Sequence, residues 1–167
     1  MRYALLLLLL ILTGCGYHFA GQGGELPGGV KKLYLPLFTN RTAEPRLENR
    51  LASDLSLVFG RNSAISQVEQ REAAEAMLEG VISGYSTRAI SYDRNDDISE
   101  YRATMNVEVK LRAVADGRLL WQGPVSWSDE YLAADDKNLQ ADYEREAKEE
   151  ISLRISEEIL SRLLDDF

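Results

Sequence analysis

The sequence predicts an α+β fold, a two-layer sandwich of two helices packed on a mixed, mostly antiparallel sheet of four to five strands. Three patterns carry that expectation. Residues 101–115 keep apolar side chains on one parity, with polar side chains on the other from Arg102 to Arg112, residues 47–59 repeat apolar side chains at steps of three and four, and residues 143–163 carry a ridge of apolar side chains four apart. A period of two marks a strand with one buried face, and a period near 3.6 marks a helix with one buried stripe.

The chain opens on Met1-Arg2 and an apolar run from Tyr3 to Leu12. That run is half the roughly 20 apolar residues a membrane-crossing helix needs, and it has the length of a signal-peptide core. Leu12-Thr13-Gly14-Cys15 follows, with the only cysteine of the chain, and small residues before a lone cysteine resemble the bacterial lipobox. Residues 1–14 are expected to be a lipoprotein signal peptide. Cys15 then becomes the first mature residue, with diacylglycerol on its sulfur and an acyl chain on its amino group. Two or more chains at about 0.8 kcal/mol per buried CH2 anchor stably, whereas one is marginal. A free thiol or an intermolecular disulfide is the alternative use of Cys15. Gly16 stands where enteric inner-membrane lipoproteins carry aspartate, so the expected address is the outer membrane, facing the periplasm or a barrel lumen.

Residues 15–30 read as a flexible tether, because GQGGELPGG holds five glycines and a proline. Residues 31–167 read as one α+β domain. Residues 33–38 (LYLPLF) suit a strand, with Pro36 favouring an edge or a bulge. Pro45 suits the first turn of a helix carrying Leu47, Leu51, Leu55, Val58 and Phe59, with Gly60 as its stop. Residues 64–69 are a short strand. Residues 77–92 are a longer one, in which Gly80 and Gly84 mark bends or the close approach of a helix. The loop DRNDD (93–97) then leads into the alternating strand. At about 3.3 Å per residue that strand runs on the order of 45–50 Å. Asp116-Gly117 signals a two-residue hairpin, and Gly123-Pro124 a bulge or an edge within residues 118–131. In the last helix Tyr143, Ala147, Ile151, Ile155, Ile159 and Leu163 form the buried ridge.

The composition excludes several functions. A net charge of −8 repels nucleic acid and anionic membrane surfaces alike. One histidine, His18, and one cysteine destined for lipid assemble neither a catalytic dyad nor zinc spacing. GVISG (80–84) places its serine one position late for a nucleophile elbow. Asp93, Asn95 and Asp97 match the opening of a calcium loop, but Ile98 and Thr104 stand where glycine and glutamate are required. Asp96-Asp97, Asp135-Asp136 and Asp165-Asp166 are adjacent pairs in turns or at a helix end, where carboxylates face solvent or cap helices. The chain is therefore expected to be non-enzymatic, with no cofactor or metal beyond the lipid on Cys15.

Several strings, in order, resemble one family. They are CGYHFAG (15–21), LPGGV (26–30), LPLFTNRT (35–42), Glu44-Pro45, SYDR (91–94) and EYR (100–102), followed by the alternating strand. The set is similar to the outer-membrane lipopolysaccharide-assembly lipoproteins, the LptE family. The resemblance implies two helices on a mixed sheet. It also implies a plug inside the large outer-membrane β-barrel that inserts lipopolysaccharide, a role in assembling that barrel, direct contact with lipopolysaccharide, and no enzymatic activity. Lipid A phosphates call for locally presented Arg or Lys. Arg94, in the hairpin loop, matches a basic residue of the family pattern. Arg102, Lys110 and Arg112 share the outward face of the long strand, Arg88 precedes the loop, and Lys137 lies near the start of the last helix. The competing reading of these six is solubilising surface charge. Another envelope lipoprotein adaptor, for example in barrel assembly, and a carboxylate-based cell-wall hydrolase are the alternative functions.

Overall fold

The structure, a computed structural model, describes residues 25–165. The signal segment, Cys15, His18 and the first part of the tether lie outside the described residues, as does Asp166. In chain order the elements are β1 (Lys32–Tyr34), β2 (Thr39–Asn40), α1 (Leu47–Gly60), β3 (Ser66–Val68), β4 (Ala76–Tyr92), β5 (Ile98–Ala113), β6 (Leu119–Leu132) and α2 (Lys137–Asp165). They form the expected sandwich of two helices on one mixed sheet, with six strands in place of four to five. The sheet runs β3-β1-β4-β5-β6, with β2 beside β4. The short strands β1, β2 and β3 pair in parallel, while β4, β5 and β6 form an antiparallel meander.

β5 fulfils its alternation. Ala103, Met105, Val107, Val109 and Leu111 are buried under the helices, while Arg102, Asn106 and Glu108 face water. Ala147, Ile151, Ile155, Ile159 and Leu163 of α2 and Leu47, Leu51, Leu55, Val58 and Phe59 of α1 close the same core. Each Leu, Ile, Val, Met or Phe among them contributes about 1.5–3 kcal/mol through burial. Tyr143, the first step of the predicted ridge, is only partly buried, so α2 seals the core from Ala147 onward. Its buried face also includes Ser152 and Ser156. Their small side chains lie off the apolar ridge and escaped the sequence reading.

Residues 33–38 form two strands and not one. β1 pairs with Ala76 and Met77, and β2 with Val81 and Ile82, so the link carries one residue more than the β4 stretch it follows. Pro36 lies in that link, where a missing N–H breaks no ladder bond. Phe38 is buried, and its ring lies against Gly80 where any Cβ would overlap it. The close approach expected at Gly80 is thus made by an aromatic ring, not by a helix. Gly84 does mark a bend, at a register shift between Ile82 and Gly84.

Other boundaries moved for local reasons. The end of the expected tether is part of the fold: Leu26, Pro27 and Val30 are buried and a single 3-10 turn spans Pro27–Gly29. Pro45 precedes α1, which starts after Arg46 in a left-handed conformation (φ 66°). Gly60 is its last residue, and the amides of Arg61 and Asn62 fold back to the carbonyls of Val58 and Phe59. The Asp116-Gly117 signal gives a wider loop, in which Ala113 bonds Arg118 and only Gly117 has positive φ. A two-residue type I′ turn would need it at both residues. Pro124 sits without a bulge in the edge strand β6, and its carbonyl accepts a hydrogen bond from Arg162 (2.8 Å).

Asn40 explains why the TNRT string is rigid. Its Oδ1 accepts from the amide (2.9 Å) and hydroxyl (2.8 Å) of Thr42, and its Nδ2 donates to the Glu44 carbonyl and to Glu48 (both 2.8 Å). Lys148 of α2 then holds Glu44 (2.7 Å) and Glu144 (3.2 Å). Burial opposes its charge, but those two carboxylates outweigh it and raise its pKa.

Two predictions follow from this packing. Gly80→Ala forces the Phe38 ring out of place and should lower stability by about 1–3 kcal/mol, read by chemical denaturation. Glu75 accepts the amides of Lys31 (2.7 Å) and Lys32 (3.2 Å), fixing the start of β1 to the start of β4, and those bonds hold its pKa below the usual glutamate range. Its contribution is present above the unfolded-state pKa and lost as pH falls through the lower folded one. Between about pH 6 and pH 3 the thermal midpoint of Glu75→Gln should therefore fall less than that of the wild type.

Candidate functional site

The helices cover one face of the sheet and leave the other to solvent. That open face is built from the second parity of β5 and its register partners on β4 and β6. At its far end the β4–β5 hairpin closes over residues 93–97. Asp93 fixes this tip: its Oδ1 accepts the amides of Asn95 (2.7 Å) and Asp97 (3.1 Å), and its own amide donates to the Asp97 carbonyl (2.8 Å). Asp96 takes a left-handed conformation there (φ 64°). The carboxylate that resembled a calcium ligand is thus spent on the turn. Arg94 is exposed on this scaffold and makes no hydrogen bond or ion pair among the described residues.

The six basic candidates do not converge on one place. Arg88 lies opposite Arg102, which lies opposite Glu130. Two arginines side by side repel, and Glu130 relieves this by accepting from Arg102 Nε (3.1 Å) and Nη2. Arg112 is held by Glu79 (2.7 Å) and reaches the Gly117 carbonyl (3.3 Å). Lys110 sits between Glu79 and Gln122 in register. Ten residues separate Arg102 from Arg112, about 33 Å along a strand. Arg88, Arg94 and Arg102 therefore belong to the tip half of the meander, and Lys110 and Arg112 to the base half. Lys137 is the exposed first residue of α2, beside Asp136, whose Oδ1 caps the helix through the amides of Asn138 (2.8 Å) and Leu139 (3.0 Å).

The sequence reading missed the apolar character of the tip. Tyr92, Ile98 and Leu132 are exposed, at 60%, 37% and 55%. Tyr92 pairs with Ile98, and Leu132 with Glu100. A cleft of about 640 Å³ opens beside them, lined by Tyr92, Ile98, Tyr101, Asp97, Asp135 and Gln140 among others. The signal was present: carrying the β5 alternation back from Tyr101 puts Ile98 on the polar face. On the covered side, Tyr101 stacks on Tyr131 (5.5 Å between centroids), and burial pushes the Tyr131 hydroxyl pKa up. Burial likewise raises that of Tyr85, which donates to Glu144 (3.3 Å).

A long polar sheet face thus ends in an exposed, partly apolar tip. Comparison with known proteins gives the class. The lipopolysaccharide-assembly family, LptE, matches residues 30–163, and the chain belongs to that family. Among curated proteins none matches the chain by sequence. Solved structures share the fold. Lipoprotein B from Nitrosomonas europaea, solved in solution, is 19% identical with a TM-score of 0.62, covering 90% of this chain and 92% of that one. The rare lipoprotein B from Shewanella oneidensis is 13% identical with a TM-score of 0.56, covering 81% and 96%. A PelC dodecamer from Paraburkholderia phytofirmans is 13% identical with a TM-score of 0.53, covering 85% and 95%.

Proposed function

We propose that the chain is a non-enzymatic outer-membrane lipoprotein, anchored through lipid on Cys15, that sits inside the β-barrel exporting lipopolysaccharide and assists that barrel's assembly. The observation that carries this reading is the family match across residues 30–163. The open face supports it physically. Large barrel interiors are polar, and a face whose arginines already hold Glu130 and Glu79 enters such a lumen without stranding buried charge. At the tip, Arg94 is a cation free to meet a lipid A phosphate, with Arg88, Arg102 and Lys137 in the same half of the molecule. Arg112 and Lys110 lie far from that point and serve the barrel contact or solubility.

The full-length chain should co-purify with the export barrel from detergent-solubilised outer membrane, and mass spectrometry should find residue 15 lipidated. Recovery without the barrel favours the general envelope-adaptor reading. Release of soluble cell-wall fragments by the purified domain, lost on replacing Asp97, favours the hydrolase reading. Arg94→Glu should reduce photocrosslinking to lipopolysaccharide several-fold while shifting stability by about 0.5 kcal/mol or less. Unchanged crosslinking removes Arg94 from the site.

A further inference from the structure

The far half of β4 has an open edge. β1 reaches β4 only at Ala76 and Met77, and β2 only at Val81 and Ile82. Arg41 ends that ladder by donating its amide to the Ile82 carbonyl (3.0 Å). From residue 83 to residue 92, β4 is paired with β5 alone, and no other described residue bonds to its main chain.

The direction of the free groups follows from the ladders. The Pro124 carbonyl turns away from β5 to Arg162, so Glu108 and Pro124 form a pair without mutual main-chain bonds. The even-numbered residues of β5 therefore turn their amides toward β4. Ser86 and Arg88, opposite Thr104 and Arg102, bond to β5. Tyr85, Thr87 and Ala89, opposite Met105, Ala103 and Tyr101, present N–H and C=O to the open edge.

Proteins guard long edges with proline, charge or short strands. Here β3 is three residues long, and β6 carries Pro124 with Arg162 across it. The β4 edge is less guarded: register shifts fall at its two ends, and the stretch between them, residues 84–89, contains no proline and one charged side chain, Arg88. Arg41 stands at the start of this edge and Arg88 along it, and neither guanidinium has a partner among the described residues. In a chain of net charge −8, uncompensated positive charge beside an open edge selects an acidic occupant.

We propose that residues 83–92 are a docking edge for an extended, carboxylate-bearing strand of a partner protein. That strand adds to the sheet beside β4 and places acidic side chains against Arg41 and Arg88. On the functional reading above, and resting on it for the source of the strand, the partner is the export barrel protein. The test uses the full-length chain co-expressed with that barrel protein and purified from the outer membrane. Thr87→Pro deletes one edge-facing N–H while leaving the β5 ladder intact; Thr87→Ala removes the same side chain and keeps the N–H. Thr87→Pro should lower retention of the barrel about tenfold, with Thr87→Ala retained like wild type. In the wild-type complex, amide exchange at Tyr85, Thr87 and Ala89 should slow about tenfold relative to the free chain. A barrel retained equally by the folded Thr87→Pro chain, or exchange unchanged at those three amides in the complex, overturns the docking edge and leaves the barrel reading standing. A wild-type chain that retains no barrel overturns both. If Thr87→Pro does not fold, the exchange measurement on the wild type decides alone.

Discussion

The sheet depends on one constraint, the unbroken two-residue period of β5. Because Ala103, Met105, Val107, Val109 and Leu111 all point one way, a single buried surface exists for α1 and α2 to cover. A one-residue slip against β4 or β6 would turn all five into water and bring Arg102 and Glu108 inside. The register is therefore fixed by burial where the core lies, and the extra residues fall outside the Ala103–Leu111 run of β5: two shifts in the β4–β5 ladder place the extra residue on β4, and the third, at the tip, places it on β5 at Ser99. Along the buried run the alternating strand sets the frame, and β4 absorbs the mismatch.

What was legible in the sequence followed from periodicity. β5, β4, β6 and both helices stand where their apolar spacing placed them, within a few residues at their ends, because each buries one continuous face. The failures are equally physical. Leu33 and Phe38 are both buried, but one extra residue between two short pairings splits their strand. The glycine-rich composition of residues 21–29 concealed Leu26 and Val30, whose burial depends on a surface formed by distant residues. Asp116-Gly117 has the composition of a tight turn, yet the register of Ala113 with Arg118 decided the loop.

The candidate site was legible as a list of cations but not as an arrangement. A strand pattern tells which side chains share a face, and it correctly put Arg102, Lys110 and Arg112 together on the open one. It does not tell which acids on neighbouring strands reach them. Glu130 and Glu79 come from β6 and β4, and long-range register alone brings them to Arg102 and Arg112. The result is a face nearly neutral in its middle, with the unengaged cations at its margins.

The first described turn lies against Leu120, at the start of β6, so the chain enters at the end of the meander opposite Arg94. The intervening length of β5, at about 3.3 Å per residue, comes to roughly 50 Å, comparable with the 40–45 Å of a bilayer including its headgroups. On the lipid-anchored reading proposed above, a molecule held through Cys15 at one leaflet would present residue 94 at the depth of the other. On that reading strand length sets the reach: two residues removed from each of β4, β5 and β6, which keeps the alternation of faces, would withdraw that arginine by about 6.6 Å and leave the covered core at the entry end as it was.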